Sequence, residues 1–208
     1  LEIGEPDFST AAPIIAAGQA ALANGHTRYT AARGLPQLRE AISGFYTQRY
    51  GVNIDPQRIL ITPGGSGALL LATSLLVDPG KHWLMADPGY PCNRHFLRLV
   101  EGAAQLVPVG PAERYQLTPE LVARHWDASS VGALVASPAN PTGTLLSREE
   151  LAGLSQALHQ RGGHLVVDEI YHGLTYGVDA ASVLEVDNEA FVLNSFSKYF
   201  GMTGWRLG

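Results

Sequence analysis

Six short apolar runs recur along the chain, separated by segments with helical spacing. They are Ile59–Thr62, Trp83–Ala86, Ala104–Val109, Ala133–Ala136, His164–Asp168 and Ala190–Asn194. Each is apolar on both sides of its alternation, as expected of a strand covered on both faces. The segments between them carry helix signals. Ser147 and Glu150 make a capping box ahead of the stripe Leu151, Leu154, Leu158. Gly162-Gly163 supplies a left-handed stop for that helix. Thr118-Pro119 is a cap followed by a first-turn proline, and 37–50 carries Leu38, Ile42 and Phe45 on one face. This βαβα rhythm predicts an α/β fold: three layers, αβα, around a mostly parallel sheet. Residues 1–28, with Pro6 and Pro13 and no strand signal, read as a looser N-terminal segment.

Composition narrows the class further. The 208 residues are 46% hydrophobic and 16% charged, which excludes a disordered tail, a coiled coil and a collagen-like chain. A net charge of −5 argues against nucleic acid as the main partner, because phosphate backbones need a basic face. A single cysteine, Cys92, excludes an internal disulfide framework and a cysteine metal cluster. No apolar run reaches the roughly 18 residues of a membrane span. His82, His95, His164 and His172 show no metal-ligand spacing, so no metal is expected. The chain opens on Leu1 without a methionine and stops inside Trp205-Arg206-Leu207-Gly208, which reads as the start of one more strand. A longer parent protein, truncated here at its C-terminus, is the expectation.

Parallel sheets collect ligands at the carboxyl ends of their strands, so the residues just past each run matter most. Thr62-Pro63-Gly64-Gly65-Ser66-Gly67 opens an apolar helix, and a glycine-rich helix start leaves backbone N–H groups for an anion. It lacks the Lys-Ser/Thr pair and the G-x-G-x-x-G of nucleotide loops; read alone it is a tight turn. Asp87-Pro88-Gly89-Tyr90-Pro91 places an aromatic where it could stack on a planar ring, or sit half-buried in a turn. In Ser137-Pro138-Ala139-Asn140-Pro141-Thr142-Gly143 the prolines fix the backbone around one amide. Asp168 ends an apolar run, so its carboxylate should be partly desolvated and in want of a cation, unless it is a helix cap or a solvated loop acid. Lys198 stands in Asn194-Ser195-Phe196-Ser197-Lys198, where it is either a surface lysine with its head in water or, desolvated by its apolar setting, an amine that gives up its charge more readily and attacks carbonyls. Anion cradle, stacking aromatic, aimed amide, buried acid, amine and then Arg206 follow one another. That is the set which a phosphorylated aromatic aldehyde cofactor needs.

On these residues the chain resembles the fold-type I pyridoxal-phosphate enzymes, and among them the class I/II aminotransferases. The resemblance runs from Ile3-Gly4-Glu5-Pro6-Asp7-Phe8 to Arg206. Its most specific part is Ser195-Phe196-Ser197-Lys198 with Gly204 and Arg206, followed by Asn140-Pro141-Thr142-Gly143 and Asp168-Glu169-Ile170-Tyr171. Tyr29-Thr30, Gly34-Leu35-Pro36 and Leu38-Arg39 match as well. The resemblance implies that 29–208 is the large, cofactor-binding domain and that 1–28 belongs to a smaller domain or arm. It implies an enzyme that moves an amino group between an amino acid and a 2-oxo acid with pyridoxal 5′-phosphate. Lys198 would carry the cofactor as a Schiff base and then act as general base. Asp168 would pair with the pyridine nitrogen, Asn140 and Tyr171 would hold the ring hydroxyl oxygen, and Tyr90 would stack on the ring. Gly64, Gly65, Ser66, Ser195 and Arg206 would hold the phosphate. Gly4, together with Asn140, would lie at the substrate carboxylate. Tyr29 would reach the phosphate of a neighbouring subunit, which makes the expected assembly a homodimer with shared sites. A cytoplasmic enzyme of amino-acid metabolism goes with the resemblance.

Two other readings stand beside it. The same chemistry serves β-lyases and decarboxylases of this fold type, and an aminotransferase-like domain can act as the sensor of a transcription regulator. The amino donor and acceptor are not written in this stretch, and no residue here matches the family's substrate-carboxylate arginine.

Overall fold

The computed structural model describes residues 4–208. Five of the six apolar runs form strands: β1 His82–Asp87, β2 Ala103–Pro108, β3 Ser130–Ala136, β4 His164–Asp168 and β5 Phe191–Leu193. They make one sheet in the order β2-β1-β3-β4-β5, with every neighbouring pair parallel. The helices are α1 Ala12–Ala23, α2 Pro36–Tyr50, α3 Gly64–Leu76, α4 Asn93–Leu99, α5 Pro119–His125 and α6 Arg148–His159.

The two-residue period of the strands splits their side chains between two cores. On one face Leu84, Val107, Val135, Leu165 and Val167 pack against Leu121 and Val122 of α5 and Leu151, Leu154 and Leu158 of α6. On the other, Trp83, Met85, Leu134, Val166 and Leu193 meet Leu69 and Ala72 of α3 and Leu97 of α4. Helices on both faces of a parallel sheet give the expected three layers. The helix ends form where the sequence signals them. Ser147 accepts the Glu150 N–H while the Glu150 carboxylate accepts the Ser147 N–H, and Thr118 accepts the Leu121 N–H.

The run Ile59–Thr62 corrects the first expectation: it is extended but joins no sheet. Its backbone partners are Arg33, whose carbonyl accepts the Ile61 N–H, and Gly208, which exchanges both hydrogen bonds with Thr62 at 2.8 and 3.0 Å. One such exchange makes a bridge, and a strand needs a ladder. The described part of the N-terminal segment contains the twelve-residue α1. None of the residues of α1 is buried. It is held at Gly18, which lies under the Trp205 ring, and beside it Thr10 bonds the Gly201 carbonyl and accepts the Trp205 indole N–H.

Candidate active site

β1 leads outward to β2, whereas β3 leads toward β4 and β5. The loops after β1 and β3 therefore part from one another and open a crevice at the carboxyl edge of the sheet. Tyr90 and Asn140 lie on those two loops.

The β3 loop is tightly braced. Ser137 Oγ accepts the Leu146 N–H at 2.9 Å, and the Ser137 N–H donates to the Asp168 carbonyl at 3.1 Å. Ala139 and Thr144 close the loop at 2.9 Å, and Gln116 Nε2 spans from the Ala136 carbonyl to Thr144. The bracing sets Asn140 Nδ2 3.4 Å from the hydroxyl of Tyr171, on the turn after β4. Burial raises the Tyr171 hydroxyl above its usual range, opposed by Asn140 and assisted by the Asp168 charge.

Asp168 closes β4. Its Oδ1 accepts the Ile170 N–H at 3.0 Å, and among the described residues it forms no ion pair. Desolvation pushes its carboxyl up to about 6 against that one bond. Tyr90 is half-exposed, and its hydroxyl is pushed up to about 12, first by the neighbouring Cys92 thiol, then by burial and by the charges of Tyr171 and Asp168. Tyr90, Tyr171, Asn140 and Asp168 thus form one group.

The glycine-rich turn that opens α3 lies beside it, with Gly65 next to Ile170 and Ser195. α3 has no side-chain cap and no acid in its first turn. The Gly64 N–H is already taken by the Thr62 carbonyl at 2.7 Å, which leaves the Gly65 and Ser66 N–H groups without helical partners. Gly64 has φ +74°, and a Cβ there would stand 2.5 Å from Arg206 Nη2, so the guanidinium lies directly over the turn. Ser195, after β5, lies on the other side, 3.8 Å from where a Gly65 Cβ would be. Its hydroxyl bonds Ser197 Oγ at 2.7 Å and the Leu207 carbonyl at 3.1 Å. Gly64→Ala strains a left-handed residue and pushes the guanidinium away. The expected loss is about 1–2 kcal/mol in urea unfolding, together with weaker binding of phosphate esters in a titration.

Lys198 is half-buried, and its Nζ bonds the Gly4 carbonyl. A Cβ on Gly4 would stand 3.9 Å from that nitrogen. Tyr29 is fully exposed, and among the described residues no side-chain hydrogen bond joins it to the others. Ile3, where the N-terminal motif begins, lies outside the described residues. Among those described, no three His, Cys, Asp or Glu side chains are grouped as metal ligands, and no helix is long and apolar enough to cross a membrane.

Sequence reasoning passed over two residues at this edge. Gly208 lies so close to the cradle that a Cβ on it would come 2.6 Å from the Gly64 carbonyl carbon. Glu169, next to Asp168, is completely buried. Burial drives its carboxyl up to about 7, opposed by bonds from Val183, Ser182 and Tyr46. An acid inside Val-Val-Asp-Glu-Ile was the available signal.

Over residues 1–208 the chain matches the family described as aminotransferase class I and II. It is 41% identical to a valine–pyruvate aminotransferase of Mycobacterium tuberculosis, across all of this chain and 54% of that protein. It is 36% identical to a (5-formylfuran-3-yl)methyl phosphate transaminase of Methanocaldococcus jannaschii, again across all of this chain and 54% of the relative. The crystal structure of an aminotransferase from Mycobacterium tuberculosis superposes with a TM-score of 0.95 at 41% identity, covering 100% of this chain and 57% of that one. The chain therefore spans about half the length of the curated relatives it matches.

Proposed function

The chain belongs to the aminotransferase class I and II family, and from this we propose that the full-length protein transfers an amino group from an amino acid to a 2-oxo acid, with pyridoxal 5′-phosphate as cofactor. The observation that supports it most is the Asp168 carboxylate, desolvated and, among the described residues, without a cationic partner. An acid held that way calls for a positive partner, and a protonated pyridine nitrogen is one.

The surrounding residues fit the rest of the group. Gly65 and Ser66 N–H, the Ser195 hydroxyl and Arg206 suit a phosphate; the Arg206 fork matches phosphate oxygens in a way a lysine does not. Asn140 and Tyr171 are donors for the ring hydroxyl oxygen, Tyr90 offers a ring face, and Lys198 Nζ is the amine for the aldehyde. When bound, the cofactor supplies a sink for the electron pair left on the substrate Cα. Lys198 Nζ would be the base that takes the proton from that Cα and the acid that gives it back. Asp168 would be the anionic partner of the ring nitrogen and favour its protonated form. Asn140 and Gly4 bound the place of the substrate carboxylate, and Gly4 leaves space beside the Lys198 amine.

The proposal includes an assembly. Two copies form a homodimer in which each Tyr29 serves the phosphate of the other's site; its full exposure leaves it available. Residues 29–208 are then the cofactor domain, and 1–28 belong with the smaller unit. A cytoplasmic location is part of the reading and is checked by fractionation.

The test mixes the pyridoxal form of the full-length protein with each amino acid and follows conversion to the amine form by absorbance in a single turnover. We expect one group of donors to convert fully, and addition of a 2-oxo acid to return the spectrum with formation of a new amino acid. Release of free ammonia, or a protein indifferent to pyridoxal phosphate, overturns the proposal.

A further inference from the structure

The turn after β4 carries two acids, and only Asp168 serves the site. The two-residue period of the strand turns Glu169 the other way, into the protein. Its side chain is fully buried yet well supplied with donors. Oε1 accepts from Ser182 Oγ and the Val183 N–H, both at 2.9 Å, and Oε2 lies 3.1 Å from the same Ser182 hydroxyl and 3.3 Å from the Tyr46 hydroxyl. The network continues. Asn194 Nδ2 donates to the Tyr46 oxygen at 3.3 Å, and Asn194 Oδ1 accepts the Ser195 N–H at 2.7 Å. The Glu169 backbone spans the same gap, with its N–H on the Leu193 carbonyl at 2.8 Å.

We propose, resting on the reading of the site given above, that Glu169 is a positioning residue. Its buried carboxylate, through Tyr46 and Asn194, ties the turn that bears Asp168 and Tyr171 to the turn that bears Ser195 and Lys198. Two elements far apart in sequence meet on this one side chain, α2 through Tyr46 and the Ser182–Val183 turn, and the end of β5 joins them through the bond from Asn194 to the Tyr46 hydroxyl. Burying a carboxylate costs stability unless it is fully bonded. What the acid adds is direction, because acceptors on both oxygens fix the turn against rotation as well as translation. The ends of the chain of bonds are the two groups whose separation the cofactor must bridge: the ring-nitrogen partner beside Glu169, and the phosphate ligand beside Asn194.

Tyr46→Phe is the sharpest probe, since it removes one hydroxyl and leaves Glu169 bonded to Ser182 and Val183. In the full-length protein we expect kcat to fall about tenfold while KM for the amino donor stays within about twofold, the scale of one lost buried hydrogen bond. The affinity of the cofactor-free protein for pyridoxal phosphate, read by fluorescence titration, should weaken by a similar factor. Tyr46→Phe with Asn194→Ala should lose little beyond the worse single variant, because both cut one chain. Glu169→Gln should shift the same readings in the same direction; should it fail to fold, Tyr46→Phe decides alone. A Tyr46→Phe protein with parental kcat and cofactor affinity overturns this proposal and leaves the functional reading standing. So does full additivity of the two single losses. A parent protein that takes up no pyridoxal phosphate overturns both.

Discussion

Full-length protein carrying Lys198→Ala is expected to bind pyridoxal phosphate without the absorbance of a lysine-linked form, and to lose transamination altogether. The half-buried amine is held by the Gly4 carbonyl, beside the space a substrate would occupy. No other lysine follows any strand of the sheet: Lys81 precedes β1, and its amine bonds the Ala128 carbonyl. Loss of a positioned general base alone costs about 10²–10⁴-fold, and loss of the covalent anchor adds to it. Borohydride should fix the cofactor on a single peptide containing Lys198 in the parent and on none in the variant. Normal absorbance with normal turnover in Lys198→Ala, or label on another peptide, removes the central assignment.

The second large effect belongs to Asp168→Asn. In the loaded enzyme it should cost about 10²–10³-fold in rate, the usual scale for a lost preorganised electrostatic partner, while cofactor still binds. The cofactor-free protein should respond in the opposite sense. Burial raises this carboxyl in the folded state from near 4 to about 6. The folded protein therefore holds the proton more tightly than the unfolded chain does. That contribution to stability is complete below about pH 4 and is lost as pH rises through about 6. Its size is of the order of 2–3 kcal/mol. The substituted amide carries no charge to desolvate, so Asp168→Asn should be the more stable cofactor-free protein at pH 7–8, with the difference closing toward pH 4. Urea titrations of both proteins across that range give the comparison. A stability gap that does not change with pH would remove the desolvation argument, and an unchanged rate would remove Asp168 from the mechanism.

Much of the layered architecture is legible because strands covered on both faces must be apolar throughout, and such runs stand out between capped helices. The failures have physical causes. Ile59–Thr62 has the composition of a strand, but pairing depends on what lies alongside, and among the described residues the only partner it meets in both directions is Gly208. α1 was hidden because it has no apolar stripe and buries nothing, while Pro13, which reads as a breaker, stands in its first turn, where a proline's missing N–H costs nothing. That the candidate residues after β1, β3, β4 and β5 lie along one edge is legible through position, since the sheet gathers whatever follows its strands. Glu169 was not, because an acid beside an acid suggests solvent. Only the folded chain brings Tyr46 and Ser182 to it. The Gly64 N–H folds back onto Thr62 within the turn, a detail that glycine content does not encode.

The guanidinium that covers Gly64 comes from position 206, and the backbone that closes the turn comes from position 208. A growing polypeptide therefore releases the start of its cradle long before the pieces that complete it. The ribosome can deliver α3, the five described strands and even Lys198 while the turn at Gly64 still lacks the guanidinium that covers it. On the proposed function, the phosphate seat is complete only once Arg206 and Gly208 have been made, and nascent chains halted before Arg206 should hold pyridoxal phosphate more weakly than longer ones.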